Sequence, residues 1–256
     1  MRQRRKFVLF GDSLTQRGFE VEHRGWAAAL ANAYTRKADV INRGYSGYNT
    51  RWALQIKDEV YAQFGEAKAT SNDVLVIFFG ANDNASADGT SSNQHVPLDE
   101  YKNNLITIVQ EFRQKQKQYG DNAVPQIVLM SPPPVDEKAW ALHCNENSSN
   151  RTLPGSRKYA EACQEVSQEH KTHFVNLWNT MSGCHRTSSA MGGFSLTECF
   201  SDGLHFSSKG NEVVFRSLME VIEYSNDLKS PDEMQLDAPL WSDAAADMKC
   251  FNQFES

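Results

Sequence analysis

The chain has no apolar run near the roughly 20 residues that a membrane-spanning helix needs, so no helical span is expected. It also lacks a basic excess: 26 Lys and Arg stand against 32 Asp and Glu, a net charge of −6 that argues against a nucleic-acid surface. The one basic cluster, Arg2, Arg4, Arg5 and Lys6, precedes the first apolar run and reads as a solvated arm. A secretory leader needs a longer apolar stretch after such a start than 7–10 provides, so a cytoplasmic location is expected. Paired cysteines are wanting too. Cys144, Cys163, Cys184, Cys199 and Cys250 are odd in number and widely spaced, which fits neither a disulfide framework nor a zinc site and predicts reduced thiols. Without export, the glycosylation sequons at Asn84, Asn147 and Asn150 carry no meaning. Repeats and low-complexity tracts are missing. With 40% hydrophobic and 23% charged residues in 256, the composition is that of a globular protein with one sizeable α/β domain.

What is there is a regular alternation. The run 7–10 is a buried strand ending in Gly11-Asp12-Ser13-Leu14, so Ser13 stands at the carboxyl edge of a sheet. Alternating segments follow: a helix over 26–34, a short strand over 39–44, a helix over 50–64, and a continuous apolar strand over 73–79. A polar loop spans 84–95, and Pro97 opens a long amphipathic helix. A fourth strand over 126–130 is stopped by Pro132, Pro133 and Pro134, and a polar segment runs to about Gly155. A helix over 156–170, a strand over 173–177, a loop over 182–201 and a last helix capped by Ser207 complete the pattern. Five strands alternating with helices predict a parallel sheet covered on both faces, in a count that suits a flavodoxin-like three-layer α/β/α sandwich. Strand order is not readable from pattern. Residues 1–226 form the expected domain, and 227–256 an extension whose Leu240 and Trp241 dock on the domain or on a second copy, as in a homodimer.

Four short stretches fall at the predicted carboxyl edges or just beyond the last: 11–14, 42–44, 80–83 and 202–205. An acyl-transferring hydrolase needs a nucleophile, a base in reach of it, an orienter for the base, and donors for the developing oxyanion. Ser13 supplies the first, His205 the second and Asp202, three residues earlier, the third. The backbone N–H groups of Ser13 and Gly44 and the side-chain amide of Asn82 are the candidate donors.

In this order, Phe10-Gly11-Asp12-Ser13-Leu14, Gly44, Gly80-x-Asn82-Asp83 and Asp202-x-x-His205 resemble the four sequence blocks of the GDSL/SGNH hydrolase family, from Phe7 to about Ile222. The resemblance implies the flavodoxin-like sandwich, no metal or organic cofactor, and the roles just given to Ser13, Gly44, Asn82, Asp202 and His205. A closer likeness, to the isoamyl acetate-hydrolysing esterase branch, rests on 78–83, 96–101, 131–134 and 201–212, with Pro239-Leu240-Trp241-Ser242-Asp243 in the extension. Where that branch often has a basic residue after the Trp, this chain has Ser242. The likeness implies short-chain acyl esters, typically acetates, as small-molecule substrates.

Other readings are weaker. Asp12 as a phosphoryl-transfer acid lacks an Asp-x-Asp partner and a P-loop, and Asp83 reads as a structural acid capping turn N–H groups. His170 and His173 straddle a helix end and a strand start, as surface or packing residues do. Cys184 and His185 point opposite ways on an extended chain, and 193–196 lacks the last glycine of a nucleophile elbow. A binding protein on a hydrolase fold, an acetyl-sugar deacetylase, and a thioesterase or lysophospholipase remain as alternatives.

Overall fold

The computed structural model describes residues 4–64, 73–117, 124–183 and 195–250. The apolar runs become five parallel strands: β1 (Arg5–Gly11), β2 (Ala38–Gly44), β3 (Val74–Phe78), β4 (Gln126–Met130) and β5 (His173–Val175). They lie in the order β2-β1-β3-β4-β5. In register Gly11 faces both Gly44 and Phe78, so β1, β2 and β3 end level with one another. The segments that follow these strands therefore meet above one edge, where open α/β sheets collect their ligands.

Alternation along the strands divides the core in two. Phe7, Leu9, Val74, Val76, Phe78, Val128 and Met130 point to one face, against α2 (Trp26–Ala33) and α8 (Ser208–Glu223). Val8, Phe10, Leu75, Ile77, Phe79, Ile127 and Leu129 point to the other, against α3 (Thr50–Tyr61), α4 (Leu98–Lys117) and α6 (Leu153–Glu169). This is the three-layer sandwich expected from the alternation. Each fully buried side chain of this size contributes on the order of 2 kcal/mol.

Several local features differ from the pattern reading. Ser13–Gln16 forms a one-turn helix, α1, whose first turn is capped by Asp12. The polar segment after the prolines holds α5 (Glu137–His143), opened by Asp136, which accepts from the Ala139 N–H at 3.1 Å. α6 starts at Leu153, earlier than the apolar stripe shows, because Thr152 caps the Gly155 N–H at 3.0 Å and Pro154 needs no donor in the first turn. β5 is only three residues long: Asn176 ends it by capping α7 (Leu177–Met181) through the Asn179 N–H at 3.0 Å.

The extension packs on the connection between α2 and β2. Tyr34 donates to Lys229 O (2.8 Å), Lys37 to Pro231 O (2.6 Å) and Arg36 to Ala238 O (2.6 Å). Asp237 pairs with Arg4 and Arg36, while Leu228 is buried in the core. Leu240 and Trp241, at the start of α9 (Trp241–Ala246), stay exposed. Among the described residues, no helix is long and apolar enough to cross a membrane.

Candidate active site

Ser13 is the first residue of α1, directly above the end of β1. Its Oγ lies 3.0 Å from His205 Nε2, and His205 Nδ1 lies 2.7 Å from Asp202 Oδ2. All three side chains are largely buried, and the residues come from the two ends of the chain, 192 positions apart for serine and histidine. The Asp202–His205 turn is held from within. Asp202 Oδ1 accepts from the N–H groups of Leu204 (2.9 Å) and His205 (2.7 Å), and a bridge pairs Phe200 with Phe206. Gly203 takes φ +99°, and a Cβ there would meet Trp140 N at 2.4 Å, so the turn depends on glycine to sit against α5. Asp136 N donates to Gly203 O at 2.9 Å and ties the two segments together.

Burial alone would raise the Asp202 carboxyl. The hydrogen bonds from the His205 ring, the His205 N–H and the Leu204 N–H outweigh it and hold the group well below the usual carboxylate range. Asp202 is thus an anion fixed on one ring nitrogen of His205, leaving the other facing Ser13 Oγ. Trp140 packs edge-on to His205 (ring centroids 5.9 Å apart) and stacks on His143, whose Nε2 is 3.9 Å from Asp202 Oδ2.

Asn82 follows β3 and is buried. Its Nδ2 donates to Tyr48 O at 2.9 Å, and its Oδ1 accepts from Arg151 Nη2 at 3.0 Å, which leaves the second Nδ2 hydrogen without an acceptor among the described residues. The Ser13 N–H likewise has no acceptor among the described residues. Gly44 differs from expectation. Its N–H is donated to Asn42 Oδ1 at 2.8 Å, and a Cβ there would lie 2.0 Å from Gln16 N, so this glycine lets β2 and α1 pack closely. Three residues on, Gly47 has φ +81°, and its N–H has no acceptor among the described residues. Its carbonyl accepts from Gln94 Nε2 at 3.0 Å, and Gln94 also binds Arg151 at 2.6 Å.

Two further acids sit beneath the site. Asp12 Oδ1 accepts from the Leu14 N–H at 2.9 Å, while Oδ2 has no partner among the described residues; burial pushes its pKa up to about 7. Asp83 accepts from the N–H (2.9 Å) and hydroxyl of Thr50 at the start of α3, and burial raises it to about 6. Its contacts are those of a structural acid capping a helix start. Arg151, which the motifs do not include, is buried and lowered to about 10 by that burial.

His170 closes α6 and His173 opens β5, and no cluster of three metal-ligating side chains occurs among the described residues. Cys184, His185, Gly193 and Phe194 lie outside the described residues. Ser195 caps the single turn Leu196–Cys199 with Glu198.

A serine, an imidazole and a carboxylate in hydrogen-bonded line beside unpaired donors can transfer an acyl group through the serine. The GDSL-like lipase/acylhydrolase family profile matches residues 7–218. The chain belongs to that family. It is 37% identical to a GDSL esterase/lipase of Arabidopsis thaliana, over 98% of this chain and 99% of that one. It is 39% identical to the isoamyl acetate-hydrolyzing esterase 1 homolog of Homo sapiens, over 94% of this chain and 88% of that protein. Among solved structures, it resembles an acetylxylan esterase from Geobacillus stearothermophilus with a TM-score of 0.63. That likeness, at 21% identity over 88% of this chain and 97% of the other, speaks for the fold. As a GDSL-family protein, the chain is a carboxylic ester hydrolase.

Proposed function

We propose that this GDSL hydrolase cleaves short-chain esters, acetates of small alcohols foremost, by an acyl-enzyme mechanism on Ser13. The observation that carries the reading is the line Ser13 Oγ, His205 Nε2, His205 Nδ1, Asp202 Oδ2, with steps of 3.0 and 2.7 Å. His205 takes the proton as Ser13 Oγ bonds to the ester carbon. The carbonyl electron pair moves onto oxygen, where the N–H groups of Ser13 and Gly47 and the free Nδ2 hydrogen of Asn82 receive it. Gly47 replaces Gly44 in this reading because its N–H is free and its left-handed backbone turns that N–H out of the local ladder. Collapse breaks the bond to the alcohol oxygen, which leaves with the proton from His205. Water then enters by the same route in reverse, yielding the acid and free Ser13.

The acetate preference is supported by the relatives named for isoamyl acetate hydrolysis, at 36–39% identity. The unpaired thiols of Cys144, Cys163, Cys199 and Cys250 support a reducing, cytoplasmic setting. Exposed Leu240 and Trp241 offer a face for a second copy, and sedimentation with and without 227–256 tests that dimer; a monomer in both removes it. The decisive assay compares initial rates on p-nitrophenyl esters from acetate to palmitate for wild type and Ser13→Ala. Expected is a steep fall beyond butyrate, with the variant slower by about 10⁶-fold in kcat. Rates that rise with chain length would favour a lipid or thioester substrate, and a variant as fast as wild type would overturn the serine mechanism.

A further inference from the structure

Arg151 belongs to none of the sequence blocks, yet it is one of the most completely buried charges in the molecule, 2% exposed. Burying a guanidinium costs several kcal/mol unless its donors are met. Here every nitrogen has an acceptor: Nε donates to Ala81 O (2.8 Å), Nη1 to Asn150 Oδ1 (2.8 Å), and Nη2 to Asn82 Oδ1 (3.0 Å) and Gln94 Oε1 (2.6 Å). Its planar group lies 5.4 Å from the Trp140 ring centroid. All four acceptors are neutral, and no carboxylate forms an ion pair with it among the described residues; Asp12 and Glu146 act on it only from farther off, so the guanidinium's direct contact at this point is with the Asn82 amide. Arginine only donates and the Tyr48 carbonyl only accepts. Together they permit one orientation of the Asn82 amide, Oδ1 toward Arg151 and Nδ2 toward Tyr48. A cation bound to an amide oxygen also draws electron density from its nitrogen and strengthens the remaining N–H as a donor.

We propose that Arg151 is a positioning residue of the oxyanion hole, acting through the Asn82 amide that it orients and polarises. The inference rests on the serine esterase reading above and adds to it a residue from a distant segment. Because it acts through Asn82, its effect falls on kcat and vanishes once that amide is removed. A role in folding alone would act in both backgrounds.

The test is a double-mutant cycle on p-nitrophenyl acetate with wild type, Arg151→Met, Asn82→Ala and the double variant, each checked for wild-type circular dichroism and a cooperative thermal transition. Arg151→Met is expected to lower kcat about 10- to 100-fold, the size usual for a residue that orients a site ligand, with KM changed less than threefold. In the Asn82→Ala background the same change is expected to cost less than a further twofold. Equal losses in both backgrounds, or no loss of kcat, overturn the proposal. Should Arg151→Met not fold, Arg151→Lys enters the same cycle, and a folded Lys variant with an equal loss in both backgrounds overturns it as firmly. The rate at which a fluorophosphonate labels Ser13 is read in parallel, since that reaction also develops charge on an oxygen in the hole and does not depend on the ester chosen. Ser13→Ala separates the two levels. Activity that survives it refutes the esterase mechanism, whereas Ser13-dependent activity with additive Arg151 losses refutes only the role of Arg151.

Discussion

Two turns at the carboxyl edge of the sheet each bring an aspartate to the reacting groups, and they treat it in opposite ways. In the turn at 202–205, Asp202 receives two backbone N–H groups and the His205 ring within three residues, and its carboxyl is held below its ordinary range. In the turn at 11–14, Asp12 receives one N–H on Oδ1 and nothing described on Oδ2, and burial raises it to about 7. Two carboxyls near one serine thus titrate in different ranges, because one is surrounded by donors and the other has a single donor against its burial. In the proposed mechanism the ionised acid stands behind the base, where a positive imidazolium develops. Asp12, which titrates around neutrality, stands directly before Ser13, the proposed nucleophile.

The largest effect that could break this contrast is at Asp202. Asp202→Asn keeps the shape but replaces an anion with an amide that favours the wrong tautomer of His205, so kcat on p-nitrophenyl acetate should fall about 10⁴-fold with the fold intact. A loss under tenfold would mean that the Asp202 anion is not what sets His205. Next in size is Asn82→Ala, expected to lower kcat about 10²- to 10³-fold with KM little changed, as removal of one oxyanion donor does. A rise in KM with kcat preserved would move Asn82 from the transition state to substrate binding.

The two turns also differ in how far they could be read from sequence. The Asp202–His205 turn is made by bonds that span two or three residues, so the spacing of the two names already holds its geometry. Ser13 was legible for a similar reason: a continuous apolar strand ends two residues before it, and the end of a parallel strand is a defined place in an α/β fold. The sheet followed from runs such as 74–78, whose residues are buried throughout. Strand order did not, since it depends on which helix crosses which face. Gly44 and Gly47 lie in one stretch and are identical as letters. What separates them is the hydrogen bond that the Gly44 N–H donates to Asn42 and the positive φ of Gly47, neither visible before folding. Arg151 is 69 residues from Asn82 in a segment that reads as polar loop, and α5 was missed there for the same lack of an apolar stripe. A buried arginine next to a solvated stretch has no periodic signal. Only its count of neutral acceptors reveals it.

The smallest expected effect lies at Asp12 and concerns stability. Unfolded, this carboxyl titrates near 3.8; folded, near 7, so between those values the native state keeps a proton that the unfolded chain has released. Stability from this group is therefore fully present below about pH 4 and is lost as pH rises through 7. Asp83, raised to about 6, adds a drift of the same sign. Asp12→Asn retains an Oδ1 that can cap the Leu14 N–H but has no proton to lose. Thermal unfolding from pH 5 to pH 8 should thus show a shallower decline in Tm for the variant than for wild type, with the variant the more stable of the two at pH 8. An unchanged slope would mean that Asp12 is already ionised in the native state at pH 5, and the contrast between the two turns would then rest on geometry alone. Activity sharpens the same point. An anion at Asp12 opposes the oxyanion, so wild-type kcat should decline above pH 7 relative to the variant, and parallel pH profiles would place the neutral acid outside the reaction.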